Sequence, residues 1–175
     1  SLEKIAKDYE KMMRKSPYAV ESHRSFIQKW KDENDELVRI YENLTTESPD
    51  QAVFQYALGY TYAATVKDTS QSGRAQASPQ LDKAIRHFQK ALELDPEFVM
   101  AHFSLGSMYL KRGEYESAET ALMKAIDLDS QFHSAYFNLG EVYRHQKTDN
   151  MALLAYKKAL ELKPKWGWPH YGLGM

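Results

Sequence analysis

Two stretches of the chain lie over one another without a gap at an offset of 34 residues. One runs from Ala101 to Ser130 (AHFSLGSMYLKRGEYESAETALMKAIDLDS), the other from Ala135 to Pro164 (AYFNLGEVYRHQKTDNMALLAYKKALELKP). Leu105-Gly106 falls on Leu139-Gly140, Tyr109 on Tyr143, Ala118 on Ala152 and Ala125 on Ala159. No other feature constrains the fold as much. A fixed period of this length means that one supersecondary unit is stacked repeatedly, each unit burying the apolar face its neighbour cannot bury alone. Leu105 and Tyr109, four apart, share one face of a helix, so the unit begins with an amphipathic helix.

The pattern continues upstream. Ala84, Phe88, Ala91 and Pro96 stand 34 before Ala118, Leu122, Ala125 and Ser130. Their partner helix is QAVFQYALGYTYAATV, with Leu58-Gly59 and Tyr62, but 26 residues separate Leu58 from Ala84 where 13 separate Leu105 from Ala118. The excess lies in KDTSQSGRAQASPQ, about residues 67–80, which has loop composition and no periodicity. Further upstream, Pro17 stands nine before Phe26 as Pro49 stands nine before Leu58. YAVESHRSFIQKW and DELVRIYENLTTE then form a degenerate copy, with Ile27 for the glycine and Leu37 for the first alanine.

Glycine inside a helix costs about 1 kcal/mol relative to alanine. Its return at Gly59, Gly106 and Gly140 predicts a close crossing of the two helices of each unit, with Ala84, Ala118 and Ala152 and Ala91, Ala125 and Ala159 facing it. Pro96 and Pro164 close one helix and permit the next to begin.

These residues resemble the motif of the tetratricopeptide repeat (TPR) family: Leu-Gly, then Tyr, Ala, an aromatic or Leu, Ala, and a closing Pro over 34 residues. The resemblance implies an all-α fold, a right-handed superhelical α-solenoid of antiparallel helix pairs. The expected organisation is an opening helix at 1–16 (half repeat or cap) and a degenerate repeat at 17–48. Repeats follow at 49–95 (with the insertion at about 67–80), 96–129 and 130–163, then a truncated first helix at 164–175.

The resemblance also implies that first helices line a concave groove that binds a peptide segment of another protein. Counting the Leu of Leu-Gly as 7, motif positions 2, 5, 6, 9, 12 and 13 face it. They place Val53, Tyr56, Tyr60, Met100, Phe103, Ser107, Phe137, Asn138, Glu141, Arg144 and Tyr171 in the groove. The wall is aromatic and apolar at Tyr56, Tyr60, Met100 and Phe103 and polar at Asn138, Glu141 and Arg144. Aromatic residues at position 5 equally serve packing between repeats, so Tyr60, at a position that is more usually polar, is the more informative. In the family's receptors for acidic chaperone tails, Lys and Asn clamp a carboxylate; here only Asn138 matches, which disfavours that ligand.

The remaining composition narrows the function. With 23 basic and 24 acidic residues the chain lacks the positive charge on which nucleic-acid affinity rests. No apolar run reaches a membrane span, and no cysteine exists for disulfide or thiol chemistry. The six histidines show no metal spacing, and no phosphate loop or nucleophile elbow occurs. Asp32-Glu33 and Asp35-Glu36 read as a solvated turn. The expectation is a protein–protein interaction scaffold without catalytic, metal or cofactor sites. The alternatives are a recruitment or regulatory domain of a larger enzyme and a self-assembling solenoid. The segment carries no targeting signal, which leaves the compartment open, with the cytoplasm favoured. The closing stretch PKWGWPHYGLGM puts Leu173-Gly174 34 after Leu139-Gly140. It reads as a first helix cut short, whose exposed end either frays or pairs with a second copy of the chain.

Overall fold

The computed structural model describes residues 2–66 and 78–164. Most of the insertion at about 67–80, and Trp168, Tyr171 and Leu173-Gly174 of the closing stretch, lie outside the described residues. The described chain is nine α-helices and one 3-10 turn: α1 (Leu2–Lys15), α2 (Val20–Lys29), the turn Lys31–Glu33, α3 (Asn34–Glu47), α4 (Ala52–Ala64), α5 (Pro79–Leu94), α6 (Val99–Arg112), α7 (Tyr115–Leu128), α8 (His133–His145) and α9 (Asp149–Leu162). It is an all-α solenoid in which α4/α5, α6/α7 and α8/α9 are tight hairpins, each packing on the next.

The glycines account for the tightness. A β-carbon at Gly59 would lie 2.9 Å from Phe88 Cδ1, at Gly106 2.7 Å from Leu122 Cγ, and at Gly140 2.5 Å from Tyr156 Cε1. The sequence places alanines opposite these glycines, and the carbonyl oxygens of Ala84 and Ala118 do approach, at 3.2 and 3.3 Å. The nearest atoms, however, belong to the large side chains at 88, 122 and 156, themselves spaced by 34. The glycine is therefore a slot for a ring or an isobutyl group on the partner helix.

Where the slot is filled, the hairpin opens. Ile27 and Leu37, wholly buried, occupy the glycine and alanine places of the first pair, and the backbones of α2 and α3 do not approach closely. The space goes to a different core: Ile27, Leu37, Tyr41 and His23, all fully buried, with Tyr9 of α1 edge-on to Phe26 and Tyr41 at 5.2 and 6.0 Å. Each large side chain buried this way contributes roughly 1.5–3 kcal/mol. α2 still packs against α4, and α3 against α4. His23 Nε2 donates to the Pro17 carbonyl (2.8 Å) as His102 Nε2 donates to that of Pro96 (2.9 Å), six residues earlier in both cases.

Polar latches join successive units. Tyr143 Oη and Gln146 Nε2 both donate to the carboxylate of Glu119 on α7 (3.1 and 3.2 Å), and Arg112 reaches back to Asp82 on α5 (3.0 Å). No described helix is long and apolar enough to cross a membrane.

Candidate functional site

The first helices α2, α4, α6 and α8 touch in sequence, and side chains of the expected groove set make the junctions. The Arg24 guanidinium of α2 lies 5.3 Å over the ring of Tyr60 on α4. Tyr60 in turn stacks on Tyr56 at 6.1 Å. Asn138 Nδ2 of α8 donates to Ser107 Oγ of α6 at 2.8 Å. At the far end, Arg144 donates to Glu141 Oε2 at 2.8 Å, and Tyr156 of α9 donates its hydroxyl to the other carboxylate oxygen.

Two expected groove residues face inward instead. Tyr56 is fully buried, in the packing between repeats, and Val53 is 7 % exposed. Tyr56 sits against Phe88 of α5 and against Phe98, the residue just before α6, at 5.6 and 5.0 Å. Phe103 packs on Phe132, the residue just before α8, at 4.7 Å. Tyr56 and Phe103 thus each receive the phenylalanine that opens the next unit. Burial pushes the Tyr56 phenol up to about 12, despite the Ser104 hydroxyl and Arg24. Tyr60, Met100, Phe103, Ser107, Phe137, Asn138 and Glu141 are half-buried and Arg144 is exposed. Tyr171 lies outside the described residues.

The hydrogen-bond inventory fixes what the polar half can do. Ser107 donates its hydroxyl to the Phe103 carbonyl at 2.9 Å. A hydroxyl has one proton, so toward Asn138 it can only accept, and this sets the amide orientation: nitrogen toward Ser107. The Asn138 side chain is left with one N–H and its carbonyl oxygen unpartnered among the described residues, a donor and an acceptor held side by side. Glu141 has both oxygens engaged. Burial alone would raise its pKa, but the hydrogen bonds from Arg144 and Tyr156 outweigh burial and hold it below the usual carboxylate range. Glu141 is therefore an ionised strut for Arg144, which also lies 3.3 Å from His145 Nε2.

Two contributors escaped the sequence reading. Arg24 stands two before Phe26, as Tyr56 stands two before Leu58, so the proline spacing already carried the signal. Tyr156 lies on a second helix and reaches Glu141 across the glycine slot, which no first-helix count reveals.

Family models bear on the same helices. A TPR repeat model matches residues 79–111 and 106–147, and a tetratricopeptide repeat model matches 133–165. The chain belongs to the tetratricopeptide repeat family. Among solved structures, the TPR chain is similar to the crystal structure of MamA (TM-score 0.67, 23 % identity, 90 % of this chain and 85 % of that one). It is equally similar to the thermophilic TPR protein TTC0263 of Thermus thermophilus (TM-score 0.68, 22 % identity, 90 % and 80 %). At these identities the likeness speaks to the fold. Among curated proteins it is 30 % identical over 93 residues to the antiviral innate immune response effector IFIT1 of Homo sapiens, and 29 % to that of Macaca fascicularis. The match takes in 49 % of this chain and 20 % of each relative, so the chain spans about a fifth of their length. The TPR chain is a protein-interaction repeat scaffold, of a fold that is typically non-catalytic.

Proposed function

We propose that the face formed by α4, α6 and α8 binds an extended peptide segment of a partner protein. Apolar side chains of the peptide rest on Tyr60, Met100 and Phe103, and a peptide bond pairs with Asn138. The observation that carries this reading is the Phe103–Ser107–Asn138 hydrogen-bond chain. It presents a fixed N–H and C=O pair, the complement of one backbone amide, beside half-buried apolar surface. A rigid array of this kind loses little entropy on binding. Its role is recruitment, with no reaction on this chain, and it serves equally a free-standing adaptor or the recruiting part of a larger enzyme.

The test is selection of binders from a random-peptide display library, followed by affinity measurement on Tyr60→Ala and Phe103→Ala. Either change weakens binding by about tenfold or more, about 1.4 kcal/mol, with helicity unchanged. Undiminished affinity in both variants removes this face from the account.

A second reading, self-association, is favoured at α9, where Met151, Leu153 and Leu154 are 45, 38 and 67 % exposed. Leu153 stands 68 after Ile85, which is 4 % exposed where α5 meets α6. The same place in α7 is Glu119, bonded to Tyr143 and Gln146, so it is apolar in α5 and α9 and, of those two, exposed at α9.

A further inference from the structure

A cleft lies between α1 and α2, apart from the face formed by α4, α6 and α8. It is an open cleft of about 540 Å³. Met12 and Phe26 supply its apolar surface, and Lys11, Lys15, Ser22 and Ser25 are among the residues that line it.

The polar groups there are unbalanced. Two of the lining acids are committed: Asp8 is ion-paired with Lys29, and Glu21 with Arg24. The Lys29 pair and the field of Lys11 help to keep Asp8 below the usual carboxylate range. Lys11 and Lys15 have no ion-pair partner among the described residues, and the Ser22 and Ser25 hydroxyls have no hydrogen-bond partner there. Lys11 and Lys15 are also four apart on one helix, a like-charge spacing that destabilises an isolated helix. Lys11, Lys15 and Lys29 against Asp8 and Glu21 leave the cleft lining with an excess of one positive charge, beside two hydroxyls.

We infer that this cleft binds a phosphomonoester carried on an apolar group. A phosphomonoester carries up to twice the charge of a carboxylate, and its three terminal oxygens offer acceptors enough for both lysines and both hydroxyls. The apolar portion rests on Met12 and Phe26. The site is separate from the peptide face and stands or falls independently of it.

The experiment is titration of the full chain with phenyl phosphate, followed by amide and side-chain NMR, with benzoate and a capped phosphotyrosine tripeptide as comparison ligands. Phenyl phosphate shifts resonances of α1 and the start of α2. The Lys11→Gln/Lys15→Gln variant, altered only at exposed positions, binds at least about tenfold more weakly. Tyr60→Ala binds as the parent does, and benzoate binds more weakly than phenyl phosphate. Tighter binding of the tripeptide places the phosphate on a protein side chain; tighter binding of phenyl phosphate places it on a small molecule. The inference is overturned by absence of α1/α2 shifts with both phosphates, by equal binding to the lysine double variant, or by benzoate binding as well as phenyl phosphate.

Discussion

Gly140 lies against the ring of Tyr156, and that ring's hydroxyl is hydrogen-bonded to Glu141, the next residue along α8. One glycine therefore sets both the helix crossing and the carboxylate that braces Arg144. A β-carbon at Gly140 would meet Tyr156 Cε1 and Cδ1 at 2.5 and 2.6 Å. The ring cannot retreat without breaking its bond to Glu141. Alanine gains about 1 kcal/mol of helix propensity, against overpacking that costs about 1–3 kcal/mol. Gly140→Ala should therefore be destabilising, by up to about 2 kcal/mol net, in chemical denaturation followed at 222 nm. A more stable variant would show that the slot is loose.

The turns after α6 and α8 offer a test of opposite sign. Gly113 closes α6 at φ 81°, and Lys147, 34 residues on, follows α8 at φ 59°. Both turns make the same hydrogen bonds: Glu114 N–H to the Tyr109 carbonyl at 3.0 Å, and Thr148 N–H to the Tyr143 carbonyl at 2.9 Å. A left-handed conformation costs a residue with a β-carbon about 1–2 kcal/mol. Part of that returns as glycine's entropy in the unfolded chain. Lys147→Gly is expected to raise stability by about 0.5–1 kcal/mol, and Gly113→Ala to lower it, both read from the denaturation midpoint.

Much of this was legible in the sequence, because a period of 34 records side chains meeting across the same interface in each unit. Gly59, Gly106 and Gly140 announced the crossings, and their cause is physical: a ring or isobutyl group needs the room. What stayed hidden depends on which atoms meet once the helices have packed. Lys147, as a residue type, carries no mark of a left-handed turn; only its place 34 after Gly113 does. Tyr156 reaches Glu141 only once two helices cross. Tyr56 reads as a groove aromatic until the next unit's Phe98 covers it. Phe98, Phe132 and Trp166 share one place in the period, and the first two close over position-5 aromatics. Trp166 lies outside the described residues.

Acid should begin to weaken the fold near pH 6.5, above the range in which ordinary carboxylates titrate. Burial holds the His87 imidazole at about 4, with Lys90, Arg86 and Lys83 adding to the effect and Glu42 opposing it. Its Nδ1–H donates to Gln55 at 2.9 Å. Burial also lowers His23, which accepts from the Tyr41 hydroxyl (2.9 Å), although its bond to the Pro17 carbonyl opposes the shift. An unfolded histidine protonates near pH 6.5. Between about pH 6.5 and 4 the unfolded chain therefore binds more protons than the folded one. Stability is fully present above that window and falls as pH drops through it. Melting temperatures from pH 7.5 to 4.5 should decline below about 6.5, less steeply in His87→Gln. A flat profile would mean that these rings are protonated in place.

Self-association at α9 has its own test. Light scattering should give a mass that rises with concentration, and Leu153→Lys should hold the chain monomeric. A constant monomer mass at high concentration excludes this reading and leaves the peptide face untouched.

The most direct measurement of the central claim is the side-chain NH₂ resonance of Asn138 during titration with a library-selected peptide. We predict that this resonance shifts with the Tyr60 and Phe103 signals. Ser107→Ala, which releases the amide orientation, should weaken binding several-fold without loss of helicity. Saturable binding that leaves Asn138 unmoved and perturbs only α5, α7 and α9 would contradict the account.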